Sequence, residues 1–431
     1  RYYYNPANLL SDSPQFILMQ TLLIQPEFRL ALNPQYQSHS LYPSEADTVL
    51  NAEGFYRAKQ SISQWPGYAP TPLFELSNLA RELEIASLCY KDENSRFDLG
   101  SFKPLGGAYA VASLLQKQIA THQGDRTPDI SELIAGRHRH ITSDITVTAA
   151  TDGNHGRSVA WGAQLFGCRC IIFIHETVTK AREHAIAHYG AEVIRTPGTF
   201  DDAVRKAAET AKIEGWHVIP DTTDGTLIDA PRNVMQGYTL MAAEAIDQLP
   251  DNQIPTHLFL QAGVGGMAAA TCAQFWQTFA EDTPTIVLVE PQTAGCWFDS
   301  LSVGHPTAVA GSLESIMAGL ACGEVSYLAW QILRTGATAM MTINDAVAEK
   351  SMRLLADPQR VDPPIVAGES GVAGLAGLIE AVSDQQCRTL LGLDEKSRVL
   401  VFGTEGATDP ESYHNIVGRP AHEVTNGQHK P

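Results

Sequence analysis

Short apolar runs alternate with amphipathic stretches along most of this chain. Helical periodicity is clear at residues 109–123, 156–166 and 180–189. Strand-like apolar runs occupy residues 85–91, 145–150, 170–175, 191–195, 217–219, 257–261, 285–290 and 398–403. Strands that alternate with helices are typical of a parallel sheet covered by helices. The pattern therefore predicts an α/β protein.

The chain has 431 residues, which at about 100–200 residues per domain allows two or three compact units. No obvious linker interrupts the alternation, so we expect two interleaved α/β domains with mostly parallel sheets and a cleft between them. We place the large domain at residues 1–110 and 221–431 and the small domain at residues 111–220. Residues 1–65 are polar and irregular, and we expect them to form an N-terminal arm.

The charge balance is acidic, because 30 Lys and Arg face 48 Asp and Glu, for a net charge of −18. Neither nucleic acid nor an anionic membrane attracts such a polyanion, and no apolar run is long enough to span a bilayer. The seven cysteines lack the paired spacings of a zinc site, so we predict no metal. We expect a reduced, cytoplasmic protein, and we recognise no targeting segment at the start of the chain.

Lys103 lies at the junction of a loop and a helix, in the segment Ser101-Phe102-Lys103-Pro104. Pro104 suits the first turn of a helix. A helix N-terminus disfavours positive charge, and a lysine that loses its proton readily is what Schiff-base chemistry needs. A solvated surface lysine could have the same local sequence, so this segment alone leaves both interpretations open.

Residues 149–156 read Ala-Ala-Thr-Asp-Gly-Asn-His-Gly and directly follow an apolar strand. Ligands bind at the C-terminal ends of parallel strands, where the N–H groups of such a turn can bind an anion. Thr151 and Asn154 add side-chain donors. Asp152 is unexpected in an anion-binding turn, because its carboxylate would repel the anion. It could instead cap the helix that follows, and both roles stay open.

A third turn, at residues 261–270, follows another predicted strand and contains Gly263, Gly265 and Gly266. Glycines allow the backbone to approach a ligand and a helix N-terminus attracts anions, so this turn should hold a phosphate. It is not a Walker loop, because no Gly-Lys-Ser/Thr follows. It does match Gly-x-Gly-x-x-Ala, and Glu290 ends the next strand, so an NAD(P)-dependent oxidoreductase is an alternative. A glycine turn that serves only the packing of the helix on the strand is a further alternative.

In this order the segments resemble the pyridoxal-phosphate enzymes of fold type II, the group that contains threonine dehydratase and tryptophan synthase β. The resemblance covers about residues 66–409 and rests on Pro-Thr-Pro-Leu at 70–73, Lys-Asp-Glu at 91–93, Ser-Phe-Lys at 101–103, Gly-Asn-His-Gly at 153–156, the glycine loop at 263–266 and Glu-Pro at 290–291. It implies pyridoxal 5′-phosphate as the cofactor, an active site in the cleft between the domains, and a homodimer.

The resemblance also implies a role for each motif. The Gly-Asn-His-Gly turn at residues 153–156 binds the substrate carboxylate, the glycine loop at residues 263–266 binds the cofactor phosphate, and Lys103 binds the cofactor covalently. In relatives a hydroxyl or thiol near the C-terminal glycine-rich turn contacts the pyridine nitrogen of the cofactor. The alignment that best fits the family places Gly403 at that position. Thr404 is the next residue with a hydroxyl, so we assign the contact to Thr404. The implied cofactor-binding residues are Lys103, Asn154, Gly263, Val264, Gly265, Gly266, Met267 and Thr404, and the implied substrate-binding residues are Thr151, Asp152, Asn154, His155 and Asp221.

Within this family the chain is similar to the ammonia-lyases that act on both enantiomers of 2,3-diaminopropionate. That similarity rests on Asp152, Trp-Pro-Gly-Tyr-Ala-Pro at 65–70, Asp-Thr-Thr at 221–223, Met-Gln-Gly-Tyr at 235–238 and Thr-Glu-Gly at 404–406. It implies α,β-elimination that yields pyruvate and ammonia, with Lys103, Asp152 and Asp221 as the catalytic residues. Lys103 would take the Cα proton of the L isomer and Asp152 that of the D isomer.

A threonine or serine dehydratase, or another β-eliminating lyase that uses the same cofactor, is the alternative within the family. The carboxylates of Asp152 and Asp221 suit a substrate with a second ammonium group. A dehydratase has no such need, because its leaving group is hydroxide.

Overall fold

The computed structural model describes residues 22–37, 41–151, 153–357 and 359–425, and the strands there form two sheets. In chain order the strands are β1 (Leu22–Ile24), β2 (Phe28–Leu32), β3 (Leu73–Glu75), β4 (Ser87–Asp92), β5 (Thr146–Ala150), β6 (Arg169–His175), β7 (Glu192–Thr196), β8 (His217–Val218), β9 (His257–Gln261), β10 (Thr285–Pro291), β11 (Ala339–Ile343) and β12 (Arg398–Gly403).

Helices connect most of these strands. In chain order they are α1 (Ser44–Asp47), α2 (Ala52–Ile62), α3 (Ser77–Glu82), α4 (Pro104–His122), α5 (Ile130–Ile134), α6 (Arg139–Thr142), α7 (Asn154–Phe166), α8 (Lys180–Ala187), α9 (Phe200–Glu214), α10 (Asp229–Asp247), α11 (Gly266–Phe279), α12 (Cys296–Val303), α13 (Tyr327–Gly336), α14 (Asp345–Ala356), α15 (Ala373–Ser383), α16 (Gln385–Leu391), α17 (Pro410–Val417) and α18 (Ala421–Thr425). Across these described segments, no helix is long and apolar enough to cross a membrane.

The large sheet has eight strands in the order β1-β2-β11-β10-β9-β12-β4-β3. Its five central strands, from β11 to β4, are parallel, and the three outer strands pair antiparallel. The small sheet has four parallel strands in the order β7-β6-β5-β8. The predicted α/β class with mostly parallel sheets is confirmed.

Three of the turns named in the sequence analysis follow the C-terminal ends of parallel strands. The turn that contains Thr151 follows β5, the glycine loop follows β9, and Thr404 follows β12. The C-terminal edge of a parallel sheet is where α/β proteins bind ligands, because helix N-termini and loop N–H groups converge there.

Helices α4, α10 and α11 pack against one another in the buried core. Gly237 of α10 lies against the backbone of α4, and a Cβ at Gly237 would lie only 1.8 Å from the carbonyl oxygen of Leu105. A glycine is therefore required where these helices cross. The crossing also brings Tyr238 to the start of α4, next to Lys103.

The expectation of an irregular arm over residues 1–65 is wrong for the part that the structure describes. Strands β1 and β2 and helices α1 and α2 all lie between residues 22 and 62. Strand β2 pairs antiparallel with β11, with Ala31 opposite Met340. A five-residue strand whose partner lies so far along the chain leaves only a weak local signal. Residues 1–21 lie outside the described part.

Candidate active site

Lys103 and Asp221 form an ion pair in the region where the predicted site residues meet. The Nζ atom of Lys103 lies 2.8 Å from Oδ2 of Asp221, and their side chains are 20% and 26% exposed. The same Nζ lies 5.5 Å from the ring centre of Phe102 and 6.0 Å from that of Tyr238. Lys103 directly precedes α4, as predicted, and its side chain is partly exposed.

Asp221 also faces His155. Nε2 of His155 lies 2.7 Å from the carbonyl oxygen of Ile219, and since a carbonyl only accepts, Nε2 carries the hydrogen. Nδ1 of His155 lies 3.9 Å from Oδ2 of Asp221. Burial would raise the pKa of Asp221, but the ammonium of Lys103, with a contribution from the imidazole of His155, outweighs burial and holds this pKa below its usual range. Asp221 is therefore an ionised carboxylate.

The hydroxyl of Thr151 organises the turn before α7. Its Oγ1 accepts hydrogen bonds from the backbone N–H groups of Gly153, at 3.0 Å, and Gly156, at 3.1 Å. Thr151 is buried, and its hydroxyl hydrogen remains available to donate. Asp152, the residue between Thr151 and Gly153, lies outside the described residues.

The side chain of Asn154 contacts a residue that the sequence reasoning did not assign. Its Nδ2 donates to Oε2 of Glu405 at 2.6 Å. In the sequence, Glu405 stands out only as the residue next to Thr404 in Thr-Glu-Gly at 404–406. Its position next to an assigned residue was the one available signal, because nothing in the local sequence links it to Asn154.

The glycine loop between β9 and α11 has a shape that only glycine allows at Gly265. Its φ is +97°, and a Cβ there would lie 2.2 Å from Cζ2 of Trp297. Trp297 also donates from Nε1 to the carbonyl oxygen of Gly263 at 2.9 Å. Ser326 donates its backbone N–H to Val264 O at 2.9 Å. These bonds satisfy the carbonyls of Gly263 and Val264 and hold the loop in place.

The loop adjoins the Lys103–Asp221 pair. A Cβ built on Gly266, the first residue of α11, would lie 3.8 Å from the carbonyl oxygen of Asp221 and 4.0 Å from Cε2 of Tyr238. Met267 follows and is buried. The first N–H groups of a helix have no partner within the helix, so α11 offers them, with its positive end, beside Lys103.

Thr404 and Gly403 differ in the space around them. A Cβ at Gly403 would lie 2.2 Å from the hydroxyl oxygen of Tyr90, so Tyr90 fills the space beside Gly403. Thr404 is buried, and its Oγ1 accepts from Nε2 of Gln261 at 2.8 Å. The hydroxyl hydrogen of Thr404 can therefore be donated to another acceptor.

Glu290, on which the dinucleotide alternative rests, is committed to a structural contact. It is fully buried and accepts backbone hydrogen bonds from Trp297, at 2.9 Å, and Phe298, at 2.8 Å, at the start of α12. Burial raises its pKa to about 8, against the lowering effect of these bonds. A ribose hydroxyl would have to displace these contacts, so the geometry argues against a dinucleotide.

The residues present fit pyridoxal phosphate. Lys103 provides an accessible amine, and the Gly263–Gly266 loop with the N-terminus of α11 provides a place for a phosphate. Among the residues that the structure describes, no group of three or more His, Cys, Asp or Glu could hold a metal ion.

Comparison with known proteins gives the same family. A family model of pyridoxal-phosphate dependent enzymes matches residues 64–403. The chain is 38% identical over 390 residues to the diaminopropionate ammonia-lyase of Salmonella typhimurium, which covers 87% of this chain and 95% of that protein.

Solved structures of the Escherichia coli diaminopropionate ammonia-lyase have a similar fold. The selenomethionine holo form matches with a TM-score of 0.82 and 35% identity, over 91% of this chain and 96% of that one. The complex with an aminoacrylate–PLP azomethine reaction intermediate matches with a TM-score of 0.80 and 35% identity, over 94% of this chain and 100% of that one. The chain therefore belongs to the pyridoxal-phosphate dependent enzymes and, within them, to the diaminopropionate ammonia-lyases.

Proposed function

We propose that this protein catalyses the pyridoxal-phosphate-dependent α,β-elimination of ammonia from D- and L-2,3-diaminopropionate. The net reaction consumes one water and releases one pyruvate and two ammonia molecules. The observation that carries the proposal is the ion pair between Lys103 and Asp221, 2.8 Å long, beside the turn at residues 151–156. The relatives named above, one of them solved with an aminoacrylate intermediate, support the same reaction.

Proton handling would be divided between two bases. Pyridoxal phosphate, when bound, withdraws electrons and makes the Cα proton of an amino acid acidic. The two enantiomers present that proton on opposite faces, so two bases are needed. We assign Lys103 to the L isomer and Asp152 to the D isomer. Lys103 is supported by its accessible amine, and Asp152 by its position in the sequence between Thr151 and Gly153.

Asp221 would serve Lys103 and the substrate together. As an ionised carboxylate 2.8 Å from Nζ, it can hold the lysine in place and stabilise its positive charge. It also attracts a substrate that carries two ammonium groups. His155, whose Nδ1 lies 3.9 Å from Asp221, would limit the movement of this carboxylate.

The remaining residues would bind the ligands. We assign the substrate carboxylate to the turn of Thr151, Asn154 and His155, at the N-terminus of α7, and we assign the side chain of Asn154 to the cofactor as well. We assign the cofactor phosphate to the backbone from Gly263 to Met267. The hydroxyl of Thr404 would donate to the pyridine nitrogen. This is possible because the hydroxyl oxygen accepts from Gln261, which leaves its hydrogen free to donate.

One assay separates this activity from that of a dehydratase. The holoenzyme is given D-2,3-diaminopropionate, L-2,3-diaminopropionate, L-threonine and L-serine at equal concentrations, and keto acid and ammonia are both measured. We expect the two diaminopropionates to react fastest, with two ammonia per pyruvate. Faster turnover of threonine or serine, with one ammonia per keto acid, would establish the dehydratase instead.

We further propose a cytoplasmic homodimer with a large domain at residues 1–110 and 221–431 and a small domain at residues 111–220. Every strand of the small sheet lies between residues 146 and 218, which supports the division. The low cysteine content supports a reducing compartment. Light scattering of the purified protein should give about twice the chain mass of 46.7 kDa.

A further inference from the structure

Glu405 is a buried carboxylate next to the residues assigned to the candidate site, and the proposed mechanism gives it no role. It follows Thr404 directly after β12 and is 8% exposed. Oε2 accepts from Nδ2 of Asn154 at 2.6 Å and from Oγ1 of Thr408 at 3.3 Å. Oε1 accepts from the backbone N–H of Ser370 at 3.1 Å. Both oxygens therefore face hydrogen-bond donors.

A carboxylate is required for this arrangement. An ionised carboxylate only accepts, so it determines which end of the Asn154 amide faces it, namely the NH₂ group. Glutamine has the same length, but its own NH₂ would face either Ser370 N–H or the Asn154 amide. Facing Ser370, this NH₂ would set a donor against a donor; facing Asn154, it would require the Asn154 amide to flip and present its oxygen.

Glu405 also connects the elements that carry the site. It pairs with Ser101, and Gly406 donates its backbone N–H to Gly100 O at 2.9 Å, so the turn after β12 contacts the loop that leads to Lys103. Through Asn154 the same turn contacts the start of α7.

The end of this turn makes a second contact with the helices of the small sheet. Oδ2 of Asp409 lies 3.4 Å from Oγ1 of Thr179 and 3.8 Å from Nε of Arg182, a residue of α8. The turn after β12 is therefore held against both the loop of Lys103 and the helices next to β5 and β6.

We propose that Glu405 is a positioning residue that orients the amide of Asn154 and holds the start of α7 against the loop of Lys103. A cofactor attached to Lys103 then meets Asn154 in one fixed orientation. This inference rests on the proposed function, since it takes Lys103 and Asn154 as cofactor ligands. It predicts that Glu405 affects cofactor binding only through Asn154.

A double-mutant cycle on the apoprotein tests this dependence. The dissociation constant of pyridoxal phosphate is measured by absorbance titration for wild type, Glu405→Gln, Asn154→Ala and the double variant. We expect each single change to weaken binding about 10-fold, and the double variant to bind no more weakly than Asn154→Ala. Glu411→Gln, an exposed carboxylate on α17, is the matched control and should bind as wild type does.

Melting temperatures of the same apoproteins separate positioning from a general structural role, which would weaken binding in the Asn154→Ala background as well. If Glu405→Gln does not fold, Glu405→Asp keeps the charge and shortens the reach, and the same loss of additivity is expected. The inference would be overturned if the effects of the two changes on the dissociation constant multiply in the double variant, or if Glu405→Gln binds pyridoxal phosphate as wild type does. Failure of both Glu405 variants to fold would also overturn it. A wild-type protein that does not bind pyridoxal phosphate would instead overturn the proposed function.

Discussion

Two buried or partly buried lysines lie close to the C-terminal edge of the large sheet, and their partners distinguish them. Nζ of Lys91 donates to the carbonyl oxygen of Thr71 at 2.7 Å, to Gln248 at 2.8 Å and to Glu244 at 3.0 Å. An ammonium has three donors, so Lys91 is fully engaged, and its side chain is inaccessible. Lys103 has a partly exposed side chain whose Nζ lies 2.8 Å from the carboxylate of Asp221, an arrangement that suits covalent chemistry.

Lys103→Ala should therefore abolish covalent attachment of the cofactor. The absorbance at about 410–420 nm that a protonated lysine Schiff base of pyridoxal phosphate gives should disappear. In the wild type, borohydride reduction and peptide mapping should find the label on Lys103. Lys117→Ala, an exposed lysine of α4, is the control and should keep the colour. A label on any other lysine would refute the assignment.

Asp152→Asn should affect the two enantiomers unequally. Asparagine keeps the size of the side chain but cannot accept a proton. Turnover of D-2,3-diaminopropionate should fall about 10²–10⁴-fold, the usual contribution of a general base. Turnover of the L isomer should fall less, because Lys103 remains. Each substrate serves as the folding control for the other. Equal losses would leave Asp152 as a helix cap, and retained D activity would move the role to Asp221.

At the scale of elements, the N-terminus of α11 depends on the conformation of a single residue. Gly265 has φ of +97° and Trp297 occupies the space where a side chain would be. Any other residue there would have to move the loop or the indole. The phosphate site and the packing of Trp297 are therefore coupled.

Gly265→Val should weaken binding of pyridoxal phosphate, because a β-branched side chain is strained at positive φ and collides with Trp297. Fluorescence titration of the apoprotein with the cofactor measures the effect. Gly392→Val is the matched control: φ is +70° there, but no atom lies within 4 Å of the added Cβ. An affinity for pyridoxal phosphate that is unchanged in Gly265→Val would indicate that the phosphate binds at a different loop.

At the scale of the whole molecule, a buried ion cluster joins distant segments beneath the site. Arg96 lies between two carboxylates, 2.9 Å from Glu93 and 2.6 Å from Glu244 of α10. It also donates to the carbonyl oxygen of Ala69 at 3.0 Å. These bonds attach the Pro-rich segment to the helix that carries Tyr238. The Lys-Asp-Glu motif that the sequence resemblance singled out is thus part of this cluster.

Arg96→Met should destabilise the protein by about 3–5 kcal/mol, because the buried Glu93 loses its ion pair and Glu244 keeps only Lys91. Urea unfolding of the apoprotein measures the change in the free energy of unfolding. Arg57→Met is the control, since Arg57 is 61% exposed and its ion pair with Glu53 should contribute less than about 1 kcal/mol. A loss for Arg96→Met as small as that of the control would show that the cluster is not stabilising.

The sequence by itself determined the features that are contiguous along the chain. The alternation of strands and helices established the α/β class, and the predicted strands at 257–261 and 398–403 have the bounds observed for β9 and β12. Lys103, the turn at 149–156 and the glycine loop were found because each is a short motif with its own chemistry. Local periodicity and motif chemistry act over a few residues, so they can be read without knowing the fold.

Only the tertiary structure decided which of these features meet. The pairing of Lys103 with Asp221, of Asn154 with Glu405 and of Thr404 with Gln261 joins residues 118, 251 and 143 positions apart. The pairing of β2 with β11 also joins distant parts of the chain, so the sequence of residues 28–32 alone did not indicate a strand there. Such contacts depend on the order of strands in the sheets and on where helices cross, and neither is encoded in the periodicity of one segment.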